Sequence, residues 1–178
     1  MSGVRRFEDF DAWRLSDELC DLVYRMTQTG RVLDDARFRN QIRDSAASAP
    51  RNISEGFGRF EPREFANYTR FANASLMETQ NHLRHGRREN YFSAADYEQA
   101  WRLSKRALGA TKALHRYLRS CRGRLPWDPR NSVGKERRNR RNQNQDQNPN
   151  QNQNPRNLRN PKEPKEPEEP PEPQEPMP

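Results

Sequence analysis

Almost nothing in this chain alternates with period two over more than a few residues, so no strand is expected. Nor is there a glycine-rich phosphate loop, a G-x-S-x-G turn or a zinc-ligand spacing. P-loop hydrolysis, serine-type acyl transfer and structural zinc therefore have no basis in the sequence. Cysteine is scarce: the chain has only Cys20 and Cys121, and they do not form a C-x-x-C pair. In an antiparallel bundle they would lie roughly 10–15 Å apart at 1.5 Å per residue, beyond disulfide reach. No run approaches the ~18 apolar residues of a membrane span. The opening MSGVRRFEDFDAW lacks the apolar stretch of a signal peptide. These absences predict a cytoplasmic protein of bacterial type with reduced thiols and no membrane partner. Aromatics are missing from the end of the chain: all sixteen lie at or before Trp127. From Asp128 to Pro178 the apolar side chains, proline aside, are Val133, Leu158 and Met177. Such a segment cannot bury enough surface to offset its ordering entropy.

The expected organisation is one domain, residues 7–122, and a disordered low-complexity tail, residues 123–178. The tail has three parts: a basic arm at 122–141, an Asn/Gln repeat with proline at 142–155, and a Glu-Pro tract at 161–178 suited to polyproline II. A solvated spacer accounts for it, with added non-specific attraction of the basic arm for nucleic acid. Net charge is +8, divided as +5 over residues 1–120, +7 over 121–160 and −4 over 161–178. Of the 33 cationic residues, 28 are arginine, whose planar fork suits phosphate oxygens. Coding bias toward arginine would give the same excess.

Periodicity places four helices. The first runs from about Phe10 to Thr27, with Ala12, Leu15, Leu19, Leu22, Val23 and Met26 on one stripe and Gly30 as its stop. The second runs from about Asp34 to Phe57 and is the most informative stretch. Five small residues, Ser45 to Ala49, lead into Pro50, yet Ile53 and Phe57 continue the apolar spacing of Phe38, Ile42, Ala46 and Ala49. Proline inside a helix costs ~3 kcal/mol and usually kinks it, so a kink that is put to use is expected. Gly56 and Gly58 are expected to end this helix. Pro62 opens the third, which turns inward Phe65, Tyr68, Ala72, Ser75 or Leu76, Thr79 and Leu83 and is ended by Gly86 and the polar run to Asn90. Ser93 and Asp96 form a capping box for the fourth, whose inward face is Tyr97, Ala100, Leu103, Ala107, Leu108, Thr111, Leu114 and Leu118. Short connections make neighbours antiparallel, hence an all-α, up-down four-helix bundle.

Phe7, Phe10 to Trp13, Gln41-Ile42-Arg43, Ala46, Pro50, Asn52-Ile53, Glu55-Gly56-Phe57 and Arg59 form a signature, continued by Phe65, Ala72, Ser75 and Glu78. With it the chain, over about residues 7–120, resembles the four-helix-bundle family encoded by intervening sequences in bacterial 23S ribosomal RNA genes. That family is related to the accessory variability determinant of diversity-generating retroelements. The chain departs in having Ala49 where a larger aliphatic is usual and Ala74-Ser75 where Gly-Ser is common. The resemblance implies a homo-oligomer, a barrel-like pentamer. For the retroelement branch it implies binding to nucleic acid and to a reverse transcriptase.

Candidate sites follow from the residues. Arg102, Lys105, Arg106, Lys112, Arg116 and Arg119 fall within roughly a 140° arc of helix 4 at 100° per residue. Such a stripe can track a phosphate backbone without reading sequence, and Gly109 in its midst would admit a close partner. The competing account is charge pairing with acidic helix 1 (Glu8, Asp9, Asp11, Asp17, Glu18 and Asp21), within or between subunits. Arg84, Arg87 and Arg88 suit a helix C-terminus. Arg43, Pro50, Asn52, Glu55, Gly56 and Arg59 read as structural: Glu55 would pair with Arg59 at i,i+4, and Asn52 would bond backbone released by Pro50. No histidine or nucleophile accompanies Glu55, so no catalytic residue is expected. Glu78, His82, His85 and His115 do not match the Glu-x-x-His pairs of di-metal bundles, so neither a metal nor a cofactor is expected. The expected function is a non-enzymatic, homo-oligomeric bundle that binds RNA, DNA or an RNA–protein complex through basic outer faces. The alternative is a protein-binding scaffold or adaptor, such as a reverse-transcriptase accessory subunit.

Overall fold

The computed structural model describes residues 4–131, and the Asn/Gln repeat, the Glu-Pro tract and most of the basic arm lie outside them. Four helices carry the fold: α1 (Asp11–Met26), α2 (Ala36–Phe57), α3 (Pro62–Arg88) and α4 (Ala94–Ser120). No strand occurs among the described residues. Each helix packs on its two neighbours in cyclic order, α1 on α2 and α4, and α3 on α2 and α4. This is the square, up-down bundle expected from the short connections.

The helix starts are chemically determined. Asp35 caps α2 by accepting from the Phe38 amide at 2.9 Å. That bond, ahead of smaller causes, holds the Asp35 carboxyl below its ordinary range. Pro62 occupies the first turn of α3, where its missing N–H costs nothing. Ser93 caps α4 by accepting from the Asp96 amide at 3.0 Å, and its hydroxyl donates to the Asp96 carboxylate at 2.6 Å. The proposed start of α2 shifts by two residues because Arg31–Asp34 form a separate 3-10 turn.

The core is one continuous cluster. Leu19, Val23, Ile42, Ala46, Ile53, Phe65, Leu76, Leu83 and Leu118 are almost wholly excluded from solvent, each worth roughly 1.5–3 kcal/mol if a large aliphatic or aromatic. Gly58 caps α2, and α3 ends at Arg88; two of the glycines expected at these ends, Gly56 and Gly86, sit in the last turns, where they also permit close packing. Gly56 lies within α2, and a Cβ there would meet Phe65 Cδ2 at 2.4 Å and Tyr68 Cβ at 2.7 Å. Gly86 lies within α3, where a Cβ would meet the Phe92 ring at 2.3 Å. Positive-φ backbone between the helices belongs to Gly30 (φ 81°), Phe60 (φ 57°) and Asn90 (φ 56°).

Residues 123–131, expected to belong to the tail, pack on the bundle. Leu125 is fully buried. Trp127 stacks on Phe57 at 5.7 Å and meets Phe10 edge-on at 5.3 Å. Buried Asp128 is held by Arg130 at 2.6 Å, and Arg130 reaches on to Glu61 at 3.1 Å. Trp127 thus closes an aromatic cap at the end of the bundle where α1 and α3 begin. Two isolated side chains on either side of Pro126 carry no periodic signal, so this closure had no local signature.

Candidate functional site

Two regions of polar chemistry stand apart. The first is the α2 signature, where each polar side chain is engaged. Arg43 donates to the Thr27 hydroxyl at 2.7 Å and to the Thr27 carbonyl at 2.9 Å. Its guanidinium also lies 4.9 Å from the Tyr24 ring centre. Thr27 is the C-cap of α1, so Arg43 satisfies a helix end that would otherwise face nothing. Pro50 is buried inside α2 and supplies no N–H to the Ala46 carbonyl. Asn52 does reach backbone beside it, although on Ser48: its amide donates to the Ser48 carbonyl at 2.8 Å and to the Ser48 hydroxyl at 3.1 Å. Ser75 of α3 donates to that same hydroxyl at 2.8 Å, and Thr79 donates to Ser45 at 3.1 Å. The small run Ser45 to Ala49 therefore serves α2–α3 contact, with hydroxyls that cross the interface.

Glu55 accepts from Arg59 and from the Tyr68 hydroxyl, each at 2.8 Å, and Arg59 bonds the Tyr68 oxygen at 2.7 Å. The Tyr68 hydroxyl, then Arg59, holds the Glu55 carboxyl below its usual value. The i,i+4 pair was legible in the sequence; Tyr68, on another helix, was not. A depressed, solvent-exposed carboxylate tied to a cation is poorly suited to take a proton near neutral pH.

The second region is the outer face of α4. Arg102, Lys105, Arg106, Lys112, Arg116 and Arg119 are all exposed. None has an ion-pair or side-chain hydrogen-bond partner among the described residues. From first to last they span about 26 Å at 1.5 Å per residue. Acidic α1 is the neighbouring helix, yet the charges do not meet. Arg14 is paired with Asp11 on α1 itself. Burial, then Asp21 and Glu18, holds the Asp17 carboxyl above its usual value, with no cation beside it to lower it. Pairing within one subunit is thus not formed among the described residues. Gly109 sits exposed in the middle of the stripe, and a Cβ there would meet nothing within 4 Å.

The stripe adjoins a cluster that sequence reasoning divided between elements. Arg84 of α3 lies over the Trp101 ring at 4.6 Å, and Trp101 stacks with Tyr97 at 5.9 Å. Periodicity placed Tyr97 on the inward face and Arg84 at a helix C-terminus; the structure brings both to the α3–α4 edge.

The remaining candidates disperse. His115 Nδ1 lies 2.9 Å from the Thr69 hydroxyl and 3.1 Å from the Ala66 carbonyl. His82 and His85 pack on Phe38, and His82 lies 3.7 Å from Glu78. No three His, Cys, Asp or Glu side chains gather as metal ligands among the described residues. Cys20 and Cys121 are both free thiols. Burial first, then Asp17 and Asp21, pushes the Cys20 thiol up to about 11, which leaves it protonated and unreactive at neutral pH. No described helix is long and apolar enough to cross a membrane.

Comparison with known proteins gives one finding for family. No curated protein matches the chain. The family described as 23S rRNA-intervening sequence protein matches residues 8–110, more than half of the 178. The match takes in the whole α2 signature together with Arg102, Lys105 and Arg106, and stops short of Lys112, Arg116 and Arg119. With four helices in the expected order and the signature residues joined across them, the chain belongs to the 23S rRNA-intervening sequence protein family.

Proposed function

We propose that this protein is a non-enzymatic, homo-oligomeric bundle that binds nucleic acid, RNA or an RNA–protein complex, along the outer face of α4. One observation carries the reading: six exposed cations on one helix face remain unpaired although an acidic helix packs next to them. Unpaired cations in a row have favourable partners in phosphates, whose binding releases condensed counterions. A stripe of about 26 Å matches roughly seven phosphates at ~3.4 Å each along one strand. Gly109 supports the reading, because a mid-helix glycine costs about 1 kcal/mol against alanine and packing within this chain does not require one. Exposed Phe71 (58%) and Met77 (62%) on α3 support self-association or a protein partner. The scaffold alternative rests on Phe71, which lines a cleft of about 460 Å³ with Arg59, Glu64, Asn67, Tyr68 and Arg70.

The test is size-exclusion chromatography with light scattering, with and without RNA, across a salt series. The full chain is expected to run as an oligomer and to carry RNA at low salt. If all six cations engage, the affinity falls with a log–log salt slope of about −4 on single strands. The triple variant Lys112→Glu, Arg116→Glu, Arg119→Glu is expected to lose at least about 100-fold in affinity, since three attractive contacts become repulsive, and to keep its oligomer size. A monomer without a salt-dependent RNA shift overturns the reading. Loss of the oligomer in the triple variant would assign the stripe to pairing with α1 of another copy.

A further inference from the structure

At the end of the bundle where α3 stops and α4 begins, Asn81, Arg84, Arg87, Arg88 and Tyr97 line a cleft of about 410 Å³. Its walls combine three chemistries. The first is a stack: Arg84 on Trp101, and Trp101 against Tyr97 with their planes 17° apart. Trp101 is not part of the cleft wall, but the two groups stacked on it are. A further flat ring entering the cleft would therefore meet Tyr97 or the guanidinium of Arg84 and lengthen the stack. The second is charge: Arg84, Arg87 and Arg88 have no carboxylate partner among the described residues. The third is the Asn81 side chain, exposed and without a hydrogen-bond partner among the described residues, with both an amide donor and a carbonyl acceptor to offer.

We propose that this cleft is a stacking subsite for an unpaired base of a single-stranded nucleic acid. Tyr97 and Arg84 supply the platform, Asn81 faces the base edge, and Arg87 and Arg88 take the flanking phosphates. The inference rests on the nucleic-acid reading above and deepens it. Phosphates alone would satisfy the α4 stripe, whereas a stacked aromatic with an arginine over it favours a strand whose bases can turn outward. The cleft is also in line with the stripe. Arg102 follows Trp101 directly, and Lys105 lies one turn further along α4. A strand anchored by one base in the cleft would continue along the row toward Arg119. Helix C-terminal placement of Arg87 and Arg88 is satisfied by their position alone, but it gives no reason for Arg84 to lie over the Trp101 ring.

Two probes separate stacking from charge: a 12-mer oligothymidylate and a 12-mer abasic strand with the same phosphates, titrated into the full chain by fluorescence anisotropy. The native protein is expected to bind the oligothymidylate about 10-fold more tightly than the abasic strand, the scale of one base stacked on an aromatic group. Arg84→Lys keeps the charge and loses the planar fork; Tyr97→Leu loses the ring. Each is expected to reduce that ratio to below about 2-fold and to leave abasic binding unchanged. Arg84→Lys, on an exposed side chain, serves as the control for folding if Tyr97→Leu melts early. If both variants keep the 10-fold ratio, bases stack elsewhere and the subsite is overturned. If the native protein binds both probes equally, the subsite is overturned and the electrostatic reading stands. If it binds neither, both fall together.

Discussion

Gly56, in the last turn of α2, and Gly109, in the middle of α4, are both helical glycines, and they teach opposite lessons. In α2 a single added carbon would collide with Phe65 and with Tyr68 Cβ; in α4 it would touch nothing. The same contrast runs through the polar and charged residues. Arg43, Asn52, Glu55 and Arg59 are each engaged, three of them with groups outside α2 or on its neighbour α3. The six cations of α4 have no such partners among the described residues. Polar groups that find partners within the chain explain the fold. Polar groups that find none, in an ordered row, point to something outside it. The Pro50 segment, despite its unusual sequence, is therefore the structural half of the molecule, and the plainer helix α4 is the half with chemistry left over.

The sharpest way to break this contrast is at Gly56. Gly56→Ala, in the last turn of α2, would gain at most about 1 kcal/mol of helix propensity and then force α2 and α3 apart, because one of the colliding atoms is the Tyr68 Cβ, fixed to its backbone. Overpacking of this kind costs about 1–3 kcal/mol. The expected net loss is about 1 kcal/mol, a drop of several degrees in Tm by circular dichroism at this domain size. An unchanged or higher Tm would show that the helices can part freely, and Gly56 would lose its packing role. Gly109→Ala is expected to move the other way: up by about 0.5–1 kcal/mol in stability, with RNA binding weakened if a backbone passes close to that face. Stabilisation without any loss of binding would mean that no partner approaches there.

The two halves were not equally legible. The helices and their order followed from apolar spacing, because a 3.6-residue period with long repeats is hard to mistake. Ser93 and Asp96 announced a cap that formed. Gly58 caps α2, and α3 ends between Gly86 and Asn90, as the glycines suggest, but the packing role of Gly56 and Gly86 had no local signature, because glycine serves equally for a turn and for close contact, and only the partner side chain distinguishes them. The stripe on α4 could be listed residue by residue from the sequence, but whether α1 neutralised it depended on the rotation of α1 about its axis. Tyr68, Arg84 over Trp101, and Trp127 over Phe57 are contacts between elements, and no local pattern encodes which side chains meet across two helices.

The finest test of the contrast is the pH dependence of Glu55. Its carboxyl is held below its ordinary value by the Tyr68 hydroxyl, then by Arg59. A depressed folded-state value means that the native protein binds this proton less readily than the unfolded chain, whose glutamates titrate near about 4.3. The stabilisation is then complete above that value and is lost as pH falls through the lower folded-state value. Glu55→Gln keeps an acceptor for Tyr68 and removes only the charge. Melting curves should show the variant below the native protein at pH 7 by a small margin, because exposed pairs contribute little. The two curves should converge once the pH has passed below the native titration. A gap that persists unchanged at pH 3 would mean that the charge is not what binds α2 to Tyr68. A gap that widens in acid would reverse the sign and place Glu55 among the groups the fold leaves unsatisfied, on the α4 side of the contrast.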